Sequence, residues 1–496
     1  MNKITDPTQI PFLQVGSRFP THEQTELLKE YENNEKLFRG KHQELFKMSE
    51  YYNKLNPNLV ENIKLAVNMP ASVTRAYTDL LFGMFPDIKV NEADAAWLDN
   101  FMLENDLENE LLQGGDAQSI RGVTLLQLWR EDGTGKARMK VISAENWFPV
   151  VSQSLKDKFD AHVVGWFEPT ERMTSIGNEK FITFHADIYF KDYIYYIDYE
   201  TQDGLVKYIT ERNTPDNIRN INDFLIIPIY NLTVDNCWRG ISDYADCFDL
   251  FAELDNRLSQ YSKILDKHAD PTLLGSERHM SIMYDQYGRV TNKFFQREDF
   301  MTVGDDEMKP EYLVWDAKLD ATDKHIDRIM NMLYMVTDTS AILFGQFGQG
   351  NIPSGSGTKK LLMRTLARKN RKALQWVAGL YKAIKLCYKL ETGSELTSLS
   401  IKFKSGLPID EFEAAQIISM RASGKQTMSI ERILELWDDL SPEEVKRELE
   451  RIEDENETDM STNDSSTDNG DEVGDINIIK EPNVTNGGNG VGQTSK

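Results

Sequence analysis

From Ile241 to Leu390 the sequence specifies two amphipathic helices around a turn-rich insertion, then a glycine-rich loop, then a long helix without acid. No other stretch constrains the fold as strongly. In the first helix, from Ile241 to about Lys267, residues Tyr244, Phe248, Phe251, Leu254, Leu258, Tyr261 and Leu265 recur at three- and four-residue steps on one face. At the rise of an α-helix this rod is about 40 Å long. His268-Ala269-Asp270-Pro271 stops it, because proline disfavours helical dihedrals in the residue before it. The second rod, about Asp320 to Ser340, carries Ile326, Ile329, Met330, Leu333 and Val336 on one side and Lys324, Asp327, Arg328 and Asn331 on another. Each rod is half apolar and needs a partner.

Between the rods, Leu273 to Trp315 alternates aromatic and polar residues around turn signals such as Tyr287-Gly288 and Gly304-Asp305, which predicts short strands. After the second rod, Phe344-Gly345-Gln346-Phe347-Gly348-Gln349-Gly350-Asn351 is too rich in glycine for a stable helix and bears no charge. Thr358 to Leu390 then holds Lys359, Lys360, Arg364, Arg368, Lys369, Arg371, Lys372, Lys382, Lys385 and Lys389 with no Asp or Glu. In so acidic a chain, these cations are expected to pair with acids of neighbouring segments or subunits; the competing reading is that part of the helix faces phosphates.

The chain of 496 residues is long enough for two to four structural units, and its net charge of -24 argues against general affinity for nucleic acid or anionic membrane. Cys237, Cys247 and Cys387 form neither a metal spacing nor a disulfide framework, which predicts buried thiols in a reducing compartment. Met1 to Pro20 has no apolar signal core, and no apolar run reaches the roughly 18 residues of a membrane span, so a soluble protein made in the cytoplasm is expected.

Residues 1 to about 240 read as an α+β unit. Glu23 to Phe46 and Asn58 to Leu81 are predicted helical, the second broken at Pro70. Val123 to Ile142, with the turn Asp132-Gly133-Thr134-Gly135, and Phe181 to Tyr199 are predicted antiparallel strands. Toward the C-terminus, Asp410 to Ser423 and Ser429 to Asp439 are predicted helices, and Ser441-Pro442-Glu443-Glu444 opens a third. From Glu453 the composition is that of a disordered acidic tail.

Catalytic motifs are missing. Gly350 to Lys359 departs from a phosphate loop because Thr358 precedes Lys359 and a helix precedes the loop. Asp464, Asp468, Asp471 and Asp475 miss the calcium-loop pattern. His268 and His325 are read as structural, and the pairs Asp305-Asp306 and Asp438-Asp439 as ordinary turn or helix-end acids. No cofactor and no metal site is expected, and no enzyme.

The order of elements and several strings resemble the portal proteins of tailed double-stranded DNA phages. The strings are Leu65-Ala66-Val67-Asn68 through Leu80-Leu81-Phe82-Gly83, Ile227 to Leu232 followed by Arg239-Gly240-Ile241-Ser242-Asp243-Tyr244, Leu258-Ser259, Ala269-Asp270-Pro271 and Ser354-Gly355, with Lys425 to Glu453 resembling a crown. The usual small or apolar continuation after Ser354-Gly355 is replaced by Ser356-Gly357-Thr358. The resemblance implies a wing (1–240 with 359–404), stem helices (241–267 and 318–340), a β-rich clip (268–317), a tunnel loop (341–357), a crown (405–455) and a tail (456–496). It implies a closed homo-oligomeric ring of about twelve copies, with head-to-tail contacts that close. That ring, at the capsid vertex of the virion and assembled in the host cytoplasm, would pass double-stranded DNA. It would meet the terminase packaging ATPase, a head-completion connector, and the major capsid and scaffolding proteins.

On this sequence the channel loop would comprise Gly345, Gln346, Phe347, Gly348, Gln349, Gly350 and Asn351, and the stem channel face Lys324, Asp327, Arg328 and Asn331. Motor docking would fall to Asp285, Gln286, Arg289, Lys293 and Arg297, and an intersubunit brace to Arg364, Arg368, Arg371 and Lys372. The alternatives are a nuclease that uses acidic clusters to hold divalent metal and a chaperone or scaffolding ring that passes no DNA.

Overall fold

The computed structural model describes residues 4–47, 65–152, 158–174, 177–235, 237–269, 273–274, 280–284, 286–295, 311–312, 319–346, 355–407, 411–422, 429–437 and 445–453. The chain divides into two compact units, Met1–Pro408 and Ile409–Lys496. Both helix and sheet contribute to the first, an α+β arrangement.

The first unit opens with helix α1, His22–Phe38, whose N-terminus is closed by a reciprocal capping box between Thr21 and Gln24. The helix expected to run to Phe46 ends at Phe38, because Gly40 takes a positive φ of 72° and turns the chain into the single-turn helix α2, His42–Leu45. Helix α3 is Met69–Phe82, with Pro70 in its first turn. The proline therefore starts this helix and does not break one, since its missing N–H is unpaired at that position anyway. Residues 58–64 of the expected helix lie outside the described residues.

Strand β1, Asp87–Val90, leads to helices α4, Glu92–Glu104, and α5, Leu107–Arg121. Strands β2, Val123–Arg130, and β3, Ala137–Ile142, form the expected hairpin. A second, larger sheet is a meander of β4, Trp147–Val151, β5, Phe159–Thr174, β6, Gly177–Tyr189, β7, Tyr193–Gln202, and β8, Leu205–Asn217, all antiparallel. One face of it buries Phe148, Val163, Phe184, Ile188 and Tyr199 against Ile10, Leu13 and Phe19 of the N-terminal segment. Strand β9, Ile226–Tyr230, returns to pair with β2, giving the sheet order β3-β2-β9.

Two-residue strands β10, Leu232–Thr233, and β11, Gly240–Ile241, close a short ladder before the first rod. That rod is helix α6, Phe248–Ala269, so the expected start at Ile241 is corrected. Ile241 belongs to a strand, and Ser242-Asp243 is a buried turn hydrogen-bonded to the carbonyl of Ser119, geometry that a helix cannot share. In the insertion, β12, Leu273–Leu274, pairs with β15, Glu311–Tyr312, and β13, Met280–Tyr284, with β14, Val290–Phe295. The second rod is helix α7, Leu319–Val336.

Ile329 and Leu333 of α7 pack against Phe251 and Leu254 of α6, with Val73 and Tyr77 of α3 and Leu37 of α1 in the same cluster. The apolar stripes read from spacing thus meet within one chain, except at Leu265 and Val336, which stay exposed. After α7 come helix α8, Gly355–Leu361, and helix α9, Met363–Thr392, the acid-poor segment. Helix α9 lies against the β3-β2-β9 sheet, and the fit is tight: a Cβ added at Gly379 would sit 2.6 Å from Ile229 Cγ1. Trp376 donates its indole N–H to Gln118 of α5, 3.0 Å away, and Gln118 in turn donates to the carbonyl of Tyr230, so this buried polar pair is satisfied. Strand β16, Leu399–Lys402, closes the unit by pairing with β1, from Asp87↔Lys402 to Val90↔Leu399.

In the second unit, helices α10, Glu411–Ala422, and α11, Ile430–Trp437, match two of the expected three; residues 445–453 are also helical. Ser429 caps α11 by accepting from the backbone N–H of Arg432. The cap Ser441-Pro442 and the acidic tail lie outside the described residues.

Candidate functional site

The end of α7, the turn before α6 and the start of α9 converge on two carboxylates. Asp243 is fully buried, and its oxygens accept from Asn231 Nδ2 at 2.8 Å, Ser119 Oγ at 2.7 Å, Arg368 Nη2 at 2.7 Å and Lys372 Nζ at 2.5 Å. Burial alone would push this carboxyl up. The charges of Lys372 and Arg368 and the hydrogen bonds from Asn231 and Lys372 outweigh it and hold Asp243 well below the usual carboxylate range. Asp338, just beyond α7, adopts a φ of 55° and is clamped by Arg364 at 2.5 Å, Arg368 at 3.3 Å and Arg371 at 3.9 Å. Its carbonyl accepts from Thr365 Oγ1 at 2.8 Å, and Tyr77 donates to the adjoining Thr337 carbonyl at 2.7 Å. The ring of Tyr77 lies 4.4 Å from Lys372 Nζ.

Of the four residues expected to brace a neighbouring subunit, Arg368 and Lys372 are buried and pair with acids of their own chain, both with Asp243 and Arg368 with Asp338 as well. Arg364 and Arg371 also reach an acid of the same chain, but both remain exposed. An acid-poor helix had to find acids elsewhere in the chain, yet nothing in local spacing singles out Asp243 and Asp338, which lie 125 and 30 residues before Arg368.

Further along α6, Asp255 makes a buried contact with His42 Nδ1 and accepts from the backbone N–H of Val67 at 3.0 Å. One turn on, Ser259 binds both the N–H and the carbonyl of Leu65. The first rod thus anchors the extended segment 65–67 by side chains at i and i+4.

On α7, the side chains Lys324, Asp327, Arg328 and Asn331 are all exposed, as are Asp320 and Asp323. In the loop, Gly345 has φ 74° and is exposed, as is Gln346; Phe347, Gly348, Gln349, Gly350 and Asn351 lie outside the described residues. Of the insertion candidates, Gln286 and Arg289 stand exposed at the β13–β14 turn, Lys293 is in β14, and Asp285 and Arg297 lie outside the described residues. All three cysteines are free thiols; Cys247 and Cys387 are buried as expected, whereas Cys237 is only half-buried, and burial pushes the Cys247 thiol up to about 12. Among the described residues, no group of three or more His, Cys, Asp or Glu is placed to hold a metal ion, and no helix is long and apolar enough to cross a membrane.

None of the curated proteins compared matches this chain. Among solved structures, the neck of a native gene transfer agent (GTA) particle with C12 symmetry is 10% identical at a TM-score of 0.41, covering 73% of this chain and 88% of that one. The virion of the native GTA particle gives 9% identity and a TM-score of 0.43 over 84% of this chain and 93% of that one. The family model described as phage portal protein, SPP1 Gp6-like, matches residues 18–462, and the chain belongs to that family.

Proposed function

We propose that copies of this chain close into a ring of about twelve at the unique capsid vertex and conduct double-stranded DNA into and out of the particle. The observation that carries this reading is the family match, which spans both rods, the insertion between them, the loop and α9. The α6–α7 hairpin supports it. Most of its apolar stripe residues are spent within the chain, and one side of α7 exposes Lys324, Asp327, Arg328 and Asn331.

The charges on that side suit a conduit. Duplex DNA presents one negative charge per ~1.7 Å, so a wall of lysine and arginine would hold it by counterion release. Here the exposed ionic side chains of α7 are Asp320, Asp323, Lys324, Asp327 and Arg328, three acids against two bases. Such a wall neither grips nor strongly repels. The uncharged loop from Gly345 to Asn351 would touch DNA through amides and backbone, in weak and exchangeable contacts.

The packaging energy would come from a separate ATPase, which we place, with the later connector, at Asp285, Gln286, Arg289, Lys293 and Arg297 on the insertion. In this reading the wing, stem, clip, tunnel loop and crown keep the bounds given above, and the protein acts in the virion after assembly in the host cytoplasm. Nothing in the comparisons favours the nuclease.

End-on electron micrographs of the purified protein test the ring, with an axial hole and a countable number of subunits expected. Magnesium-dependent DNA cleavage by monomers would refute it. Deleting Gly345 to Gly355 should leave rings intact and impair packaging; loss of rings would show that this segment builds the assembly and not the channel.

A further inference from the structure

Helix α9 has a second apolar face. Its inner face, through Ala373, Trp376, Leu380, Ala383 and Ile384, is fully used against the sheet. On the opposite side Met363, Ala367, Asn370, Leu374, Ala378 and Tyr381 follow one another at steps of four, three, four, four and three residues, and every one is exposed. At ~100° per residue these six positions fall within roughly 80° of the helix circumference, the narrow seam of a helix that packs against another helix. Met363 is 68% and Leu374 69% exposed, while the small side chains Ala367 and Ala378 between large ones would let a second backbone approach.

One flank of the seam is cationic. Arg364 and Arg371 border it, and Lys385 lies over the ring of Tyr381 at 4.5 Å. Around the seam's N-terminal end, Arg364, Arg368, Arg371 and Lys372 pair, among the described residues, with Asp243 and Asp338, four positive charges against two negative. This surplus calls for an acidic surface, which the chain carries elsewhere. On helix α4, Glu92, Ala96, Asp99 and Leu103 are exposed at steps of four, three and four, with Leu103 82% exposed. This is the same seam with the opposite charge.

We propose that the α9 seam of one copy receives the α4 face of a second copy in an antiparallel, head-to-tail contact that sets Leu374 against Leu103 and, eleven residues along each helix, Lys385 against Glu92, with Asp99 beside Ala378. The two faces lie on different parts of the chain, so the contact is heterologous and can propagate until it closes. The inference rests on the ring reading above and specifies which surfaces make the ring.

Two surface variants test it. Leu374→Glu with Tyr381→Glu spoils the seam, and Asp99→Lys with Leu103→Lys spoils the acidic face; far-UV circular dichroism should show both folded, since all four residues are exposed. Each variant alone is expected to stay monomeric in analytical ultracentrifugation at ten times the concentration at which the unaltered chain forms rings. A one-to-one mixture retains one good seam and one good face, and chemical cross-linking should trap dimers and nothing larger. Rings from either variant, or a mixture that yields no dimer, would overturn this contact while rings of the unaltered chain leave the portal reading standing. If the unaltered chain itself forms no ring, the portal reading falls, and this contact with it.

Discussion

Removing the Asp243 carboxylate should be among the most damaging single changes in the first unit. In Asp243→Ala, Lys372, whose side chain is 1% exposed, loses its ion partner, and Arg368, 7% exposed, keeps only Asp338 at 3.3 Å. Breaking a buried ion pair by deleting one member costs about 3–5 kcal/mol, because the remaining charge stays desolvated. Asn231 and Ser119 lose an acceptor as well, while the surviving Asp338 contact limits the cost for Arg368, which together place the loss at about 4 kcal/mol. With a urea slope of about 3 kcal/mol/M, the unfolding midpoint should fall by about 1.3 M. Urea titration followed by far-UV circular dichroism, at a protein concentration below ring formation, measures it. Adding Lys372→Met to Asp243→Ala removes the stranded cation and should restore about half of the loss. A cost under about 1 kcal/mol, or no recovery from Lys372→Met, would refute the claim that this carboxylate holds the start of α6 to α9.

The same group sets an acid dependence. Its folded pKa lies below the unfolded value of about 3.9, so its stabilisation is present above that pH and is lost as pH falls through the folded pKa; acid titration should show Asp243→Asn losing less stability below pH ~4 than the unaltered chain. Gly379→Val should overpack the α9–sheet contact at Ile229 and lower stability by about 1–3 kcal/mol in the same urea assay; a neutral result would mean that α9 shifts freely on the sheet. Converting the exposed acids of α7 in Asp323→Lys with Asp327→Lys changes its face from net -1 to net +3 per copy, so rings should retain duplex DNA in a gel-shift assay at low salt and release it steeply as salt rises. Unchanged DNA retention would place that face away from the channel.

Most of the long elements were legible because their signals are local. The apolar stripe of α7 at Ile326, Ile329, Met330 and Leu333, the β2–β3 hairpin around Asp132-Gly133, and the helix after Thr358 all follow from periodicity and turn chemistry within a short window. Helices α4 and α5 and strands β5 and β8 were not read from the sequence at all, and other errors fell at boundaries. Pro70 has the same local signature whether it starts a helix or breaks one, and the N–H groups around it decide which. Tyr244 sits in phase with Phe248 and Phe251, so the stripe ran on into a turn that Ser119 and Asn231, distant in sequence, hold out of the helix.

Sequence alone determined that this chain has two half-apolar rods, an uncharged loop and an acid-poor helix, because helical period, glycine content and charge are properties of neighbouring residues. Those features, in that order and together with short strings such as Arg239 to Tyr244, pointed to the portal family. Tertiary structure alone decided what the charges do. Ten cations on one segment read alike in sequence, yet packing against β2 and β9 turns Arg368 and Lys372 inward to Asp243 and leaves Arg364 and Arg371 at the surface. The difference is one of helix face and of acids brought from more than a hundred residues away, and a buried charge needs that partner because water is no longer there to solvate it.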